Sequence, residues 1–253
     1  LIAAILGPEV SRYSFDFFPD YIYLATYLFA AIIQIINFLI LIFINIKKPI
    51  PSKKTNRPLG DVLLQKNLII AILAAAVGYS LMSFIMTATP LQIVNVCKLG
   101  DSASATVIQW HVIAMFAPSF FTGTIINSLG NRKVMMIGLF LYAFSISFTI
   151  IGQTIEHFWI ALFLCGLGWN FLYVGGSDII AKSALPEERA KVQGVTDFII
   201  FVFVATGSFL AGALHSTLGW EIMMFYTAIP ILILFMSIIT VSYTHLRAHE
   251  THR

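Results

Sequence analysis

The fold class this sequence predicts is an all-α polytopic membrane protein. Three observations predict it: the composition, a series of apolar runs of membrane-crossing length, and the one-sided placement of the basic residues. Of the 253 residues, 58% are hydrophobic and only 11% charged, with a mean hydropathy of +0.88. A soluble domain carries about a quarter charged residues and somewhat under half apolar ones. This chain therefore has too few polar groups to face water all round, and lipid takes the part of solvent. The net charge of +3 is too small to indicate a nucleic-acid partner. Cys97 falls just past the end of one apolar run and Cys165 in the middle of another, so no disulfide is expected and no redox signal is given.

A hydrocarbon core about 30 Å thick needs roughly 20 apolar residues in helical form. Seven runs meet that length: about Tyr21–Ile46, Leu68–Val94, Thr106–Asn127, Val134–Gly152, Phe158–Ala181, Val192–Leu214 and Glu221–Ser242. Each must be helical, because an isolated strand in lipid would leave its backbone polar groups unpaired. Breaks are read at Gly7-Pro8, residues 49–58, residues 99–101, residues 129–131, Gly152, Pro186 and Leu218-Gly219. Pro118 lies inside the third run and should kink it. The opening run Leu1–Leu6 has no initiator Met, basic n-region or cleavage site, so it is no signal peptide. It reads as the cut end of an earlier helix, and the chain as a fragment.

Orientation follows from Lys and Arg, which concentrate on the cytoplasmic side. If the loop Lys47–Asn67 is cytoplasmic, that side also holds Arg132, Lys133, Lys182, Arg189, Lys191, Arg247 and Arg253, and only Arg12 and Lys98 lie opposite. No Lys or Arg falls within a span interior. One missed or invented helix would scramble so lopsided a division, so it also checks the span count. Tyr21, Tyr23, Trp110, Phe158, Trp159 and Trp220 fall near the outer span ends, where amphipathic rings favour the interface.

The loop itself, KKPIPSKKTNRPLGDVLLQKN, is polar, carries three prolines and is too irregular to span. A single long basic linker suggests a join between two helix bundles. Within it, residues 57–67 predict a short interfacial helix with Leu59, Val62, Leu63 and Leu64 towards lipid and Lys66 among the headgroups.

Three short stretches carry a resemblance to the major facilitator superfamily. Ser128-Leu129-Gly130-Asn131-Arg132-Lys133 is similar to a reduced form of the family's Gly-x-x-x-Asp-Arg-x-Gly-Arg-Arg loop, with Asn131 where the acid usually stands. Leu185-Pro186-Glu187-Glu188-Arg189-Ala190-Lys191-Val192-Gln193-Gly194 resembles its Pro-Glu-x-Arg-x-x-x-x-Gly stretch and is the most specific of the three. Gly166-Leu167-Gly168-Trp169-Asn170, continuing to Gly175-Gly176, resembles a Gly-rich helix of a bacterial subgroup. The resemblance implies two six-helix bundles around a central cavity. Residues 1–46 would be the end of the N-terminal bundle, its last helix and a stub of the one before. Residues 47–67 would be the cytoplasmic linker and 68–242 the complete six-helix C-terminal bundle. Residues 243–253 form a polar tail that breaks from the apolar pattern and is expected to be foreign sequence. The resemblance also implies that the stretch with Glu187, Glu188 and Arg189 latches one conformation by pairing with a neighbouring cytoplasmic segment such as the one carrying Arg132. Without the family, Pro186 suits the first turn of a helix, and Glu187 and Glu188 sit at the positive end of its dipole.

Polar and ionisable groups at membrane depth are expensive and so mark function by default. Gln109, Trp110 and His111 lie in the outer part of the third run, and Trp169, Asn170 and Tyr173 at mid-depth of the fifth. Tyr79, Met82, Met86 and Thr87 are further cavity candidates. Trp169 beside Asn170 offers a stacking face next to an amide, or else a packed ring between helices. His111 is a candidate for proton coupling because its side chain titrates nearest neutrality; a neutral ring bonded to the next helix is the alternative. Asp197 is either a coupling carboxylate or a structural partner of Arg189 or Lys191, with the structural pair preferred, and Asp178 is expected to be solvated. Gly207 with Ala211, and Ser208 with Gly212, are small-xxx-small pairs that allow close helix approach.

No phosphate-binding loop, H-E-x-x-H, C-x-x-C or G-x-S-x-G motif occurs, so no enzyme, cofactor or metal site is predicted. The expected function is secondary transport of a small molecule by alternating access, driven by protons, in a bacterial inner membrane. The expected partners are the solute, protons, the bilayer and the rest of the N-terminal bundle. A receptor or scaffold without transport, and a membrane-embedded enzyme, are the rival classes.

Overall fold

Every apolar run read from the sequence is helical in the computed structural model, and no strand occurs among the described residues. These are residues 2–14, 17–18, 20–21, 23–45 and 57–250, the side chains of residues 2–4, 11, 12 and 241–250 excepted. Lys47, Lys48, Lys53 and Lys54, much of the linker and residues 251–253 lie outside them. The chain divides into two compact units, Leu1–Lys54 and Thr55–Arg253.

In the first unit, α1 (Ile2–Ser14) and α2 (Leu24–Phe43) meet where they are joined. Ser14 and Thr26 hydroxyls lie 2.5 Å apart, and Phe17 and Phe29 meet edge to face at 6.2 Å. The break read at Gly7-Pro8 does not occur: α1 runs through Pro8 to Ser14. Proline removes one hydrogen bond, a loss that membrane helices tolerate.

The second unit opens with a short helix, α3 (Leu59–Leu63), followed by α4 (Lys66–Pro90), whose end winds into a π-helical segment, Leu91–Val96. Then come α5 (Asp101–Phe116), α6 (Ser119–Leu129), α7 (Asn131–Ile151), α8 (Ile155–Ser183), α9 (Arg189–Leu218), α10 (Trp220–Tyr226) and α11 (Ala228–Glu250). Among the described residues six helices are long and apolar enough to cross a membrane, α10 and α11 counting as one, and the pair α5–α6 makes a seventh with a 44° bend. The bend falls at Pro118, where the sequence places it. Gly130 (φ +84°) ends α6 and starts α7, and Gly219 (φ +77°) does the same between α9 and α10. A side chain would be strained at both corners.

Helix α8 is the hub, packing against α4, α5 and α7. Its glycines explain how three helices come so close. A Cβ at Gly166 would stand 2.6 Å from the His111 carbonyl on α5, and one at Gly168 would stand 2.9 Å from the Tyr142 ring on α7. One at Gly176 would stand 2.8 Å from the Ala71 carbonyl on α4. Without a driving force from water between helices, such contact is what holds a membrane bundle together. On α9, Gly207 lies against Ser80 of α4 and Ala211 is fully buried, as the small-residue pattern predicts. Ser80 Oγ donates to the Phe203 carbonyl (2.8 Å), and the Ser83 and Ser208 hydroxyls meet at 2.6 Å.

Two local readings change. Val62 does not face lipid; it is fully buried against Leu68, Ala71, Ile72, Ile180, Ala184 and Val192, which docks α3 on the bundle. Pro186 is not in the first turn of α9, because the helix starts three residues later with Glu188 as its N-cap. The Glu188 carboxylate accepts the Leu185 N–H at 3.2 Å, so residues 185–188 close a turn ahead of the helix.

Candidate functional site

At mid-depth, α4, α5, α8 and α9 bring five aromatic rings together. Trp169 and Tyr173, one turn apart on α8, stack at 5.1 Å with an interplanar angle of 8°. Tyr79 of α4 meets Trp169 at 5.2 Å and Tyr173 at 5.3 Å, both edge-on, and Phe201 of α9 at 5.8 Å. Phe116 closes on Trp169 from α5 at 5.7 Å. Trp169 is only 5% exposed, whereas Tyr79 and Tyr173 are half-buried. The two tyrosines, with the more exposed Phe201 and Phe116, are thus rings a solute can touch, and the indole backs them.

Asp197 on α9 is half-buried and interacts electrostatically with Tyr173. Among the described residues it forms no ion pair, so the preferred pairing with Arg189 or Lys191 is not made. Those residues lie eight and six positions away, beyond the i,i+4 reach of side chains on one helix.

Asn170 does not offer a free amide beside the indole. Its Nδ2 donates to the Met115 carbonyl and to Ser119 Oγ, both at 2.7 Å, and its Oδ1 accepts from Thr122 Oγ1 at 2.6 Å. Thr122 Oγ1 also lies 2.8 Å from the Pro118 carbonyl. Asn170 thereby staples the bend between α5 and α6, meeting a carbonyl that the break leaves without its helical donor. Interhelical hydrogen bonds in membranes average about 0.6 kcal/mol, so Asn170→Ala should lower stability by about 2 kcal/mol. Thermal unfolding in detergent would show this as a depressed Tm.

His111 is completely buried, with Nδ1 2.7 Å from the Leu162 carbonyl. A carbonyl only accepts, so Nδ1 carries the proton and Nε2 is the lone-pair nitrogen of the neutral ring. That Nε2, like Trp169 Nε1, is buried without a hydrogen-bond partner. The remaining candidates scatter. Met82 is buried in the bundle core, Met86, Thr87 and Gln109 are partly buried, and Trp110 packs outward on Trp159 at 5.7 Å.

At the basic end, Glu188 is 5% exposed and lies 3.9 Å from Arg57, which ties the residues before α3 to the start of α9. Glu188 Oε1 and Gln65 Nε2 are buried without a partner. Glu187 and Arg189 are exposed, and Arg132 is in the first turn of α7. Asp178 is not simply solvated: Lys182 Nζ pairs with it at 2.5 Å and Asn131 Nδ2 donates to it at 2.8 Å. The amide at 131 suits a carboxylate neighbour, which an acid there would repel.

Sequence reasoning missed a polar cluster at the opposite end. Gln92, 3% exposed in the π-helical segment, donates to Gln153 Oε1 at 2.7 Å, and its Oε1 lies 2.9 Å from His215 Nε2. The signal was available, since Gln92 is a polar residue near the end of an apolar run.

Residues 95–253 match the family model described as the Major Facilitator Superfamily. Over 225 residues, 87% of this chain, the sequence is 40% identical to the riboflavin transporter RfnT of Brucella anthropi. It is 35% identical over 58% of its length to the uncharacterized transporter YdeG of Bacillus subtilis, and 30% identical over 67% to YddS of the same organism. The chain spans 56%, 35% and 39% of the lengths of these three relatives. With its helices of spanning length, this is a multi-pass integral membrane protein of the kind found in bacterial inner membranes. The chain belongs to the Major Facilitator Superfamily.

Proposed function

We propose that the whole protein is a secondary transporter that moves a flat heteroaromatic solute by alternating access, coupled to protons. The observation that carries this reading is the ring cluster of Tyr79, Trp169 and Tyr173 next to Asp197, a carboxylate with no ion pair among the described residues. Stacking supplies affinity for a planar ring system without demanding charge, and the similarity to RfnT makes riboflavin the first solute to try. Residues 1–46 are the end of the N-terminal bundle in this reading, and 68–242 the C-terminal one. Asp197 and His111 are the two candidates for the proton site, and Glu188 with Arg57 the candidate latch on the cytoplasmic face.

The test is uptake of radiolabelled riboflavin into liposomes that contain the protein expressed from its intact gene, with and without an inward proton gradient. Saturable uptake that the gradient accelerates is the expected result. No uptake and no counterflow from folded protein would overturn the riboflavin assignment, and the same silence across a panel of aromatic solutes would overturn transport of this class.

A further inference from the structure

One hollow of the second unit has no part in the aromatic site. It is a furrow of about 680 Å³ between the first turns of α4 and residues 232–240 of α11. Its walls are apolar: Ile69, Ile70 and Leu73 on one side, Leu232, Ile233 and Met236 on the other. The hydroxyls of Ser237 and Thr240, which also line it, are spent on carbonyls of their own helix, those of Ile233 and Met236. Lys66 stands at the mouth as the single charged lining residue. It is exposed, and among the described residues no carboxylate pairs with it.

The same face of α4 continues seven and eleven residues beyond Leu73 to Ser80 and Phe84, which line a second apolar hollow of about 340 Å³. From Lys66 to Phe84 the helix rises about 27 Å, close to the thickness of the hydrocarbon core. An apolar furrow with one cation at its headgroup end has the polarity of an amphiphile, anionic head and hydrocarbon tail. A polar solute would find no hydrogen-bonding group along the walls of the furrow, and a free anion would leave the trough empty.

We propose that this furrow is a binding site for an anionic phospholipid, with an acyl chain along α4 and α11 and the phosphate on Lys66. A basic residue at the membrane surface favours anionic lipid by about 1 kcal/mol, which corresponds to a roughly fivefold preference. The lipid comes from the leaflet on the side of the Arg57–Glu188 pair, the side that carries most of the Lys and Arg.

Native mass spectrometry of the intact protein in mild detergent, titrated with phosphatidylglycerol or phosphatidylcholine of the same chains, tests it. Wild type should retain phosphatidylglycerol about fivefold better, and Lys66→Gln should bring the ratio near one while leaving phosphatidylcholine binding unchanged. Ile233→Trp, an exposed position on the furrow wall, should reduce retention of both lipids. Lys133→Gln, a basic position outside the furrow, should leave the ratio alone. A ratio near one in wild type overturns the proposal, whether detergent or another segment of the protein fills the furrow. An undiminished ratio in Lys66→Gln overturns it equally.

Discussion

Tyr173→Ala should raise the KM for a flat aromatic solute by ten- to a hundredfold, while Tyr173→Phe should stay within about threefold of wild type. The magnitude comes from stacking, since a planar ring on an aromatic side chain is worth about 1–3 kcal/mol by alanine substitution. Tyr173 is the informative position because it is half-buried, so a solute can reach it and its loss leaves the core intact. Trp169 is the poorer probe. At 5% exposure its truncation would open a void beneath the tyrosines and confuse lost stacking with lost packing, at a cost of about 3–5 kcal/mol. Initial uptake rates against solute concentration, set beside thermal unfolding of each variant, separate the two effects. If Tyr173→Ala lowers only the Tm and leaves KM unchanged, the cluster is packing and the solute binds elsewhere.

The backbone of this fold was legible because lipid leaves so few options. Apolar length fixed where the helices are, Pro118 marked the bend, and the small residues on α9 marked its contact with α4. What failed were judgements on which the bilayer is silent. Whether Pro8 breaks or merely interrupts a helix depends on neighbours that re-satisfy one carbonyl. Val62 read as lipid-facing because an amphipathic segment beside a membrane has two apolar destinations, and the pocket that takes it is completed by Ile180, Ala184 and Val192, distant in sequence.

The site divides along the same line. Trp169, Tyr173 and Tyr79 were visible as aromatics at depth, and the structure brings them together. Asn170 was equally visible but misjudged, because its three hydrogen bonds depend on the break that Pro118 makes on another helix. Sequence reports that a polar group is buried; only geometry reports whether its hydrogen bonds are already used. By that criterion Asn170 and Asp178 are engaged, while Asp197 and His111 Nε2 are not.

Asp197→Asn should abolish proton-driven accumulation while leaving solute exchange in place. One pH unit across the membrane is worth about 1.4 kcal/mol per proton, so one coupled proton supports about tenfold accumulation. In the asparagine variant that ratio should fall to about one, because the amide neither takes up nor releases a proton. Counterflow, which needs only binding and alternating access, should remain within about threefold of wild type, since asparagine keeps the size of the side chain beside Tyr173. The direction is fixed by the chemistry: Asp197, open to the acidic side, takes up a proton as the solute binds, stays neutral while the protein reorients, and releases the proton on the alkaline side. An inward gradient should therefore drive uptake and an outward one efflux. His111→Ala separates the two candidates, because His111 lies on α5 with its Nδ1 proton already committed to the Leu162 carbonyl. If His111→Ala loses accumulation and Asp197→Asn keeps it, the proton resides on the buried imidazole and the carboxylate serves the solute alone.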